Sequence, residues 1–238
     1  MPTVLITGAA SGLGLAFLQH YLSLPTPPTI IAVDRHELAP VNRAHYTKHI
    51  LNVSSEQSLQ DLAKELKHTP IDLVIHSAGI RGLVPSAVAA HPGDAPATES
   101  LEAMDVATML RTFESNALGT FLVIRTLLPN LRLAAAPRVV VMSSRMGSLS
   151  YNTTGGGYAY RASKAALNAV VKSFSVDVPE IHFLLVHPGR VETRLVEWKE
   201  EGAISAEESV GDMVKLLEKG NEVESGRFVD RWGVDIGW

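Results

Sequence analysis

Short apolar runs rich in β-branched residues alternate along the chain with longer segments whose apolar positions recur every three to four residues. Residues 3–7 (TVLIT), 29–34 (TIIAVD), 48–53 (KHILNV), 71–76 (IDLVIH), 138–143 (RVVVMS) and 182–187 (HFLLVH) each read as a strand buried on both faces, because their apolar character is nearly continuous. Between them lie helical patterns. Ser54-x-x-Gln57 reads as a capping box ahead of Leu59, Leu62, Ala63 and Leu66, and Ser205-x-x-Glu208 as another ahead of Val210, Met213, Val214 and Leu217. This alternation predicts an α/β fold, a doubly wound parallel sheet with helices on both faces, in a single domain over residues 1–238. Residues 81–100, with Pro85, Pro92, Gly93 and Pro96, read as an irregular excursion beyond the fourth strand. Residues 151–157 (YNTTGGG) read as a flexible loop.

Composition narrows the function classes. With 46% apolar and 19% charged residues among 238, the chain buries a large core and is too apolar for disorder. Lys plus Arg number 21 against 25 for Asp plus Glu, a net charge of −4, and no basic tail or stripe is visible, so a nucleic-acid partner is not expected. Cysteine is absent, which removes disulfides, thiolate catalysis and Cys-ligated metals. The start, MPTVLITG, has no basic stretch ahead of an apolar one, and no run approaches the roughly eighteen apolar residues of a spanning helix. The expectation is a cytoplasmic protein with no membrane partner. Nine histidines form no recognised ligand spacing, so no metal is expected, and no G-x-S-x-G elbow for hydrolase chemistry occurs.

Candidate chemistry begins where the first strand ends. Gly8-x-x-x-Gly12-x-Gly14 leads into a helical pattern, so the backbone can turn sharply and approach a pyrophosphate at a helix N-terminus. Twenty residues beyond Gly14, at the end of the second strand, Asp34 is placed to accept hydrogen bonds from adenosine ribose hydroxyls, which favours NAD(H). Arg35 is a guanidinium able to hold a 2′-phosphate, which keeps NADP(H) open. Farther on, Tyr160 and Lys164 stand at i and i+4 of a helical segment, one turn apart on one face. A fixed cation there favours the phenolate and brings a weakly acidic phenol towards the working range.

With these residues the sequence resembles the short-chain dehydrogenase/reductase family over nearly its whole length. TGAASGLG at residues 7–14 is similar to the family's cofactor loop, HSAG at 76–79 to its NNAG motif, and NALG at 116–119 to the segment carrying its catalytic Asn. SSRMG at 143–147 resembles its strand-end Ser motif, YRASK at 160–164 its Tyr-Lys motif, and HPGRVET at 187–193 its PG motif. The ending GRFVDRWGVDIGW is similar to a branch of small carbonyl reductases that includes bacterial C-signal proteins.

The resemblance implies a Rossmann-type fold and an NAD(P)(H)-dependent oxidoreductase interconverting a carbonyl and a secondary alcohol on a small molecule. Tyr160 is then the general acid or base, Lys164 its pKa partner and a ribose ligand, Ser144 the group that polarises the carbonyl, and Asn116 the holder of a water linking Lys164 to solvent. The same resemblance implies cofactor contacts from Gly8, Ser11, Gly12, Leu13, Gly14, Asp34, Arg35, Asn52, Val53, Ala78, Gly79, Tyr160, Lys164, Pro188, Gly189, Val191 and Thr193, a substrate loop at about 190–205, and a homodimer or homotetramer. Three departures stand out. Fifteen residues separate Ser144 from Tyr160, three more than in the family, and strict spacing falls on Gly147; Ser144 directly follows the strand, and Ser148 is the alternative. His76 and Ser77 replace the two Asn of NNAG. Asn52 replaces an Asp that touches adenine. A second function class stays open, a dinucleotide-binding regulatory or signalling protein with little turnover.

Overall fold

The computed structural model describes residues 1–196, 198 and 201–238. Its strands are β1 (Thr3–Thr7), β2 (Thr29–Asp34), β3 (Tyr46–Ile50), β4 (Leu73–His76), β5 (Arg138–Met142), β6 (His182–His187) and β7 (Arg227–Asp230). They form one sheet in the order β3-β2-β1-β4-β5-β6-β7, and every pairing is parallel. Chain order reverses between β1 and β4, so the connections leave those strands towards opposite sides and open a crevice at their C-terminal ends.

Alternate residues of the strands enter two separate cores, which is why their apolar runs are continuous. Leu5, Val74, Val139, Val141, Phe183 and Leu185 pack against α2 (Glu56–Glu65), α6 (Gly119–Leu131) and α7 (Tyr158–Asp177). Ile6, Ala32, Ile75, Val140, Leu184 and Val186 pack against Phe17 of α1 (Gly12–Ser23) and Val210 and Met213 of α8 (Ala206–Glu218). No helix among the described residues is long and apolar enough to cross a membrane.

Four local expectations change. The third strand runs two residues earlier than the apolar pattern suggests and is half exposed, because it is an edge strand with β2 as its one neighbour, and Lys48 decorates its open side. That shift frees Leu51, Asn52 and Val53 to turn into the crevice. The cap of α2 is Ser55, whose hydroxyl accepts from the Ser58 amide; Ser54 lies outside the helix and Gln57 bonds Asp61. Residues 81–100 contain two short helices, α3 (Pro85–Ala90) and α4 (Ala95–Thr98), each with proline in its first turn, where a missing N–H costs nothing. Finally β7, only four residues with charge at both ends, has no apolar run to announce it. The remaining helix, α5 (Val106–Phe113), passes into a π-turn at Glu114–Leu118 before α6.

Candidate active site

The crevice is a cleft of about 1120 Å³ running from the end of β2 to the segment after β6. Its floor is the turn from β1 into α1. Gly8 sits at φ +71°, and a Cβ there would stand 2.9 Å from the Ala78 nitrogen; one on Gly14 would stand 2.1 Å from the Gly8 carbonyl oxygen. Only hydrogen fits at either place, so the turn lies tight against β4 and α1 starts directly beneath the cleft. The Ser11 side chain does not cap α1, so that first turn has no side-chain acceptor of its own. Ser11, Gly12 and Leu13 line the cleft, together with Asp34, Arg35, Asn52, Val53, Ala78, Gly79 and Thr193.

Asp34 is held from both sides by the backbone. One carboxylate oxygen accepts from the Ala10 amide at 2.9 Å and the other from the His36 amide at 2.8 Å, so the residue braces the glycine turn against β2. Arg35 is exposed, its Nε directed to His36. The Asn52 side chain accepts from the Ser54 amide and shapes the turn into α2.

The reacting end is assembled by α7. Tyr160 and Lys164 are both buried on one turn of it, with the ammonium 5.7 Å from the centre of the phenol ring. The Lys164 Nζ donates to the Met142 carbonyl at 2.8 Å, and burial pulls the ammonium down to about 8. Gly147, in the 3-10 turn Arg145–Gly147, lies so close that a Cβ would be 2.8 Å from the Lys164 backbone. A side chain at the family's strict Ser spacing would therefore drive the turn off α7. Ser144 caps that turn, accepting from the Met146 amide at 3.2 Å, and is 8% exposed. The Ser148 hydroxyl is engaged by Ser150 and the Gly237 carbonyl near the C-terminus. Between Ser144 and Tyr160 the chain runs through Gly155, Gly156 and Gly157, all at positive φ near +60 to +70°, immediately ahead of α7.

Asn116 lies at the centre of the π-turn and is fully buried. Its oxygen accepts from the Ile80 amide at 2.8 Å, and its nitrogen donates to the Ile80 carbonyl and the Ser163 hydroxyl, both at 2.9 Å. It thus stitches the segment after β4 to α7. An ideal Cβ on Gly79 would meet both the Asn116 oxygen, at 3.0 Å, and Lys164 Nζ, at 3.7 Å, so the three residues converge.

His76, at the end of β4, is joined to the end of β1. The Thr7 hydroxyl accepts from the Ser77 and Ala78 amides at 3.2 Å and stands 2.9 Å from His76 Nδ1. With both lone pairs occupied, its one proton goes to Nδ1, which assigns the Nε2–H tautomer. That Nε2 is buried with no protein partner among the described residues. Burial first, then the Lys164 charge, pushes the imidazole down to about 3, so it is neutral at ordinary pH.

Beyond β6 the expected contacts separate. The Pro188 carbonyl accepts from the Ser209 hydroxyl, which anchors the turn to α8. Gly189, at φ +95°, faces a second cavity of about 200 Å³ with Arg145, His187 and Arg231. Val191 pairs with Ile204 and Thr193 reaches the main cleft. Residues 197, 199 and 200 of the expected substrate loop lie outside the described residues. The sequence reading passed over Arg81 and Glu99. Arg81 lines the cleft, forms a two-pronged pair with Glu99 at 2.8 and 2.9 Å, and stacks over the Tyr160 ring with its Cζ 4.9 Å from the centre. The available signal was a cation directly after the HSAGI segment.

Residues 2–203 match the family described as short chain dehydrogenase. The chain is similar to C-signal of Myxococcus xanthus, 41% identical over 171 residues, which cover 71% of this chain and 93% of the relative. It is 30% identical to 1-hydroxy-2-glutathionyl-2-methyl-3-butene dehydrogenase of Rhodococcus sp. (strain AD45) along the full length of both. Among solved structures it resembles the NADPH-bound carbonyl reductase from chicken fatty liver, with a TM-score of 0.81, 27% identity, and 100% of this chain and 99% of that one covered.

Proposed function

The chain belongs to the short-chain dehydrogenase family and is a nicotinamide-dependent oxidoreductase of CH–OH and C=O groups; from that premise we propose that Tyr160 is its general acid in reduction and its base in oxidation. The observation that carries this reading is the placement of Tyr160 and Lys164 on one turn of α7, with Lys164 Nζ bonded to the Met142 carbonyl at the end of β5 and lying beside Gly79 of the cleft wall.

The residues present fit a dinucleotide. The cradle of Gly8 and Gly14 leaves no room for a Cβ, and the uncapped first turn of α1 offers N–H groups and partial positive charge to a pyrophosphate. Ser11, Gly12 and Leu13 would hold the pyrophosphate, Asp34 the adenosine ribose, Asn52 and Val53 the adenine side, and Ala78, Gly79 and Thr193, with Lys164 behind Gly79, the nicotinamide side. When bound, the nicotinamide supplies or accepts the hydride. In reduction, Tyr160 gives its proton to the substrate oxygen while the Ser144 hydroxyl donates a hydrogen bond to the same atom and stabilises its developing charge. The Lys164 ammonium stabilises the phenolate left behind. Asn116, its side chain bonded to Ile80 and Ser163, keeps the wall behind Lys164 in register.

We infer a preference for NAD(H). The Asp34 carboxylate lies on the cleft and opposes a 2′-phosphate, although its two backbone bonds give it a structural duty as well, and Arg35 is the competing cation. Separate titrations with NADH and NADPH decide this; tighter NADPH binding assigns control to Arg35. An exposed stripe of Val106, Leu110 and Phe113 at i, i+4 and i+7 on α5 supports a homodimer or homotetramer.

The decisive experiment is Tyr160→Phe. Reduction of carbonyl compounds should fall about 10²–10⁴-fold, the range for removing a general acid, while nucleotide binding persists. Undiminished turnover would remove Tyr160 from its role. The low exposure of Tyr160, 7%, keeps a second reading in play, a dinucleotide-binding regulator; nucleotide binding without turnover of any carbonyl in a broad screen would favour it.

A further inference from the structure

Resting on Tyr160 as the acid–base group, we propose that Arg81 is a positioning residue for that phenol: fixed by Glu99 over the ring, its guanidinium joins Lys164 in holding the phenolate form. The segment after β4 crosses the cleft and delivers Arg81 to its wall. From there Nε and Nη2 donate to the two oxygens of Glu99 at 2.9 and 2.8 Å, with the side chains only 18% and 10% exposed. A two-pronged, largely buried pair leaves a planar cation little freedom. Its Cζ stands 4.9 Å from the Tyr160 ring centre, nearer than the 5.7 Å of Lys164 Nζ.

Glu99 is also tied to the ring by a second route. Its carbonyl accepts from the Gly157 amide at 2.9 Å, and Gly157, at φ +59°, is the residue directly ahead of α7. One residue therefore holds both the guanidinium and the helix end that carries the phenol. A cation over an aromatic face is attracted to the neutral ring, and more strongly once the ring bears charge. The Glu99 carboxylate offsets part of that field, so the expected effect is modest. A pair serving only to tie residue 81 to residue 99 has no need of the ring beneath it.

The test compares wild type with Arg81→Met and Arg81→Lys in alcohol oxidation, the direction that needs phenolate. For Arg81→Met the acidic limb of the kcat–pH profile should move up by about one pH unit, with oxidation at neutral pH falling up to about tenfold and the KM for nucleotide unchanged. Arg81→Lys keeps the charge and should restore most of the limb's position. A profile for Arg81→Met that superimposes on wild type, whatever the loss of thermal stability, overturns the inference and leaves the acid–base reading standing. Should Arg81→Met fail to fold, Arg81→Gln, which still donates to Glu99, carries the same comparison. If wild type turns over no substrate, the acid–base reading is what fails. The Tyr160 component of an ultraviolet tyrosinate titration, isolated with Tyr160→Phe, then reads the coupling directly: a later transition in Arg81→Met supports it, and an unchanged one overturns it.

Discussion

The two ends of the cleft are built by different means. At the end proposed for the adenosine the working parts are mostly backbone, a glycine turn and the first turn of α1, joined by one side chain, Asp34, whose carboxylate oxygens both accept from main-chain amides. At the reacting end they are side chains brought from five distant segments: Arg81, Asn116, Ser144, Tyr160 with Lys164, and Glu99. A backbone site is specified by what cannot be added to it, and neither Gly8 nor Gly14 has room for a single methyl. A side-chain site is specified by partners, and each member is replaceable only where its partners are already satisfied.

The contrast is tested most severely at the reacting end. Ser144→Ala should lower the rate of carbonyl reduction about 10²–10³-fold with little change in nucleotide affinity, as expected for removal of one preorganised donor. Ser148→Ala should leave that rate near wild type and instead loosen the C-terminal segment, which a thermal melt would show as a drop worth about 0.5–1.5 kcal/mol for the hydrogen bond lost to the Gly237 carbonyl. Equal loss of rate in the two variants would reverse the assignment of the serine.

A second effect comes from the buried imidazoles. His76 and His187 are pushed down to about 3 and about 4, mainly by burial, with the Lys164 charge adding at His76 and Arg145 at His187, where Asp230 opposes. Both are neutral when folded and take up protons on unfolding below the unfolded value near 6.5. Their contribution is thus fully present above about pH 6.5 and is lost as pH falls through the folded values. Between pH 6 and 4.5 the unfolding free energy should decline by up to about 3 kcal/mol per pH unit, the slope for about two protons. Urea unfolding against pH measures it, and His76→Asn should roughly halve the slope.

The smallest predicted effect lies at the adenosine end. Asp34→Ala should improve NADPH relative to NADH by about tenfold, one charge's worth of repulsion at short range in a wet site. Because both carboxylate oxygens are bonded to the backbone, the same change should also cost about 1–3 kcal/mol of stability. Lost stability with an unchanged nucleotide ratio would make Asp34 a brace and nothing more.

Much of this was legible in the chain before folding. Continuous apolar runs announced five of the strands because a two-faced sheet demands them, and the glycine spacing announced the cradle because no other residue accepts those angles and contacts. The Tyr160–Lys164 relation is one turn of helix and needs no tertiary information. The edge strand β3 and the four-residue β7 were harder, since an edge strand relaxes the burial rule and a short strand offers too few positions to show a period. What only the tertiary structure decided are matters of partnership. Ser148 is occupied because Gly237 folds back onto it, His76 accepts at Nδ1 because Thr7 has spent both lone pairs, and Arg81 reaches the phenol because Glu99 also grips the start of α7. Local spacing governs dihedral angles and helix faces. Which of several hydroxyls or cations is left to do chemistry depends on neighbours far along the chain, and those exist only once the loops have closed.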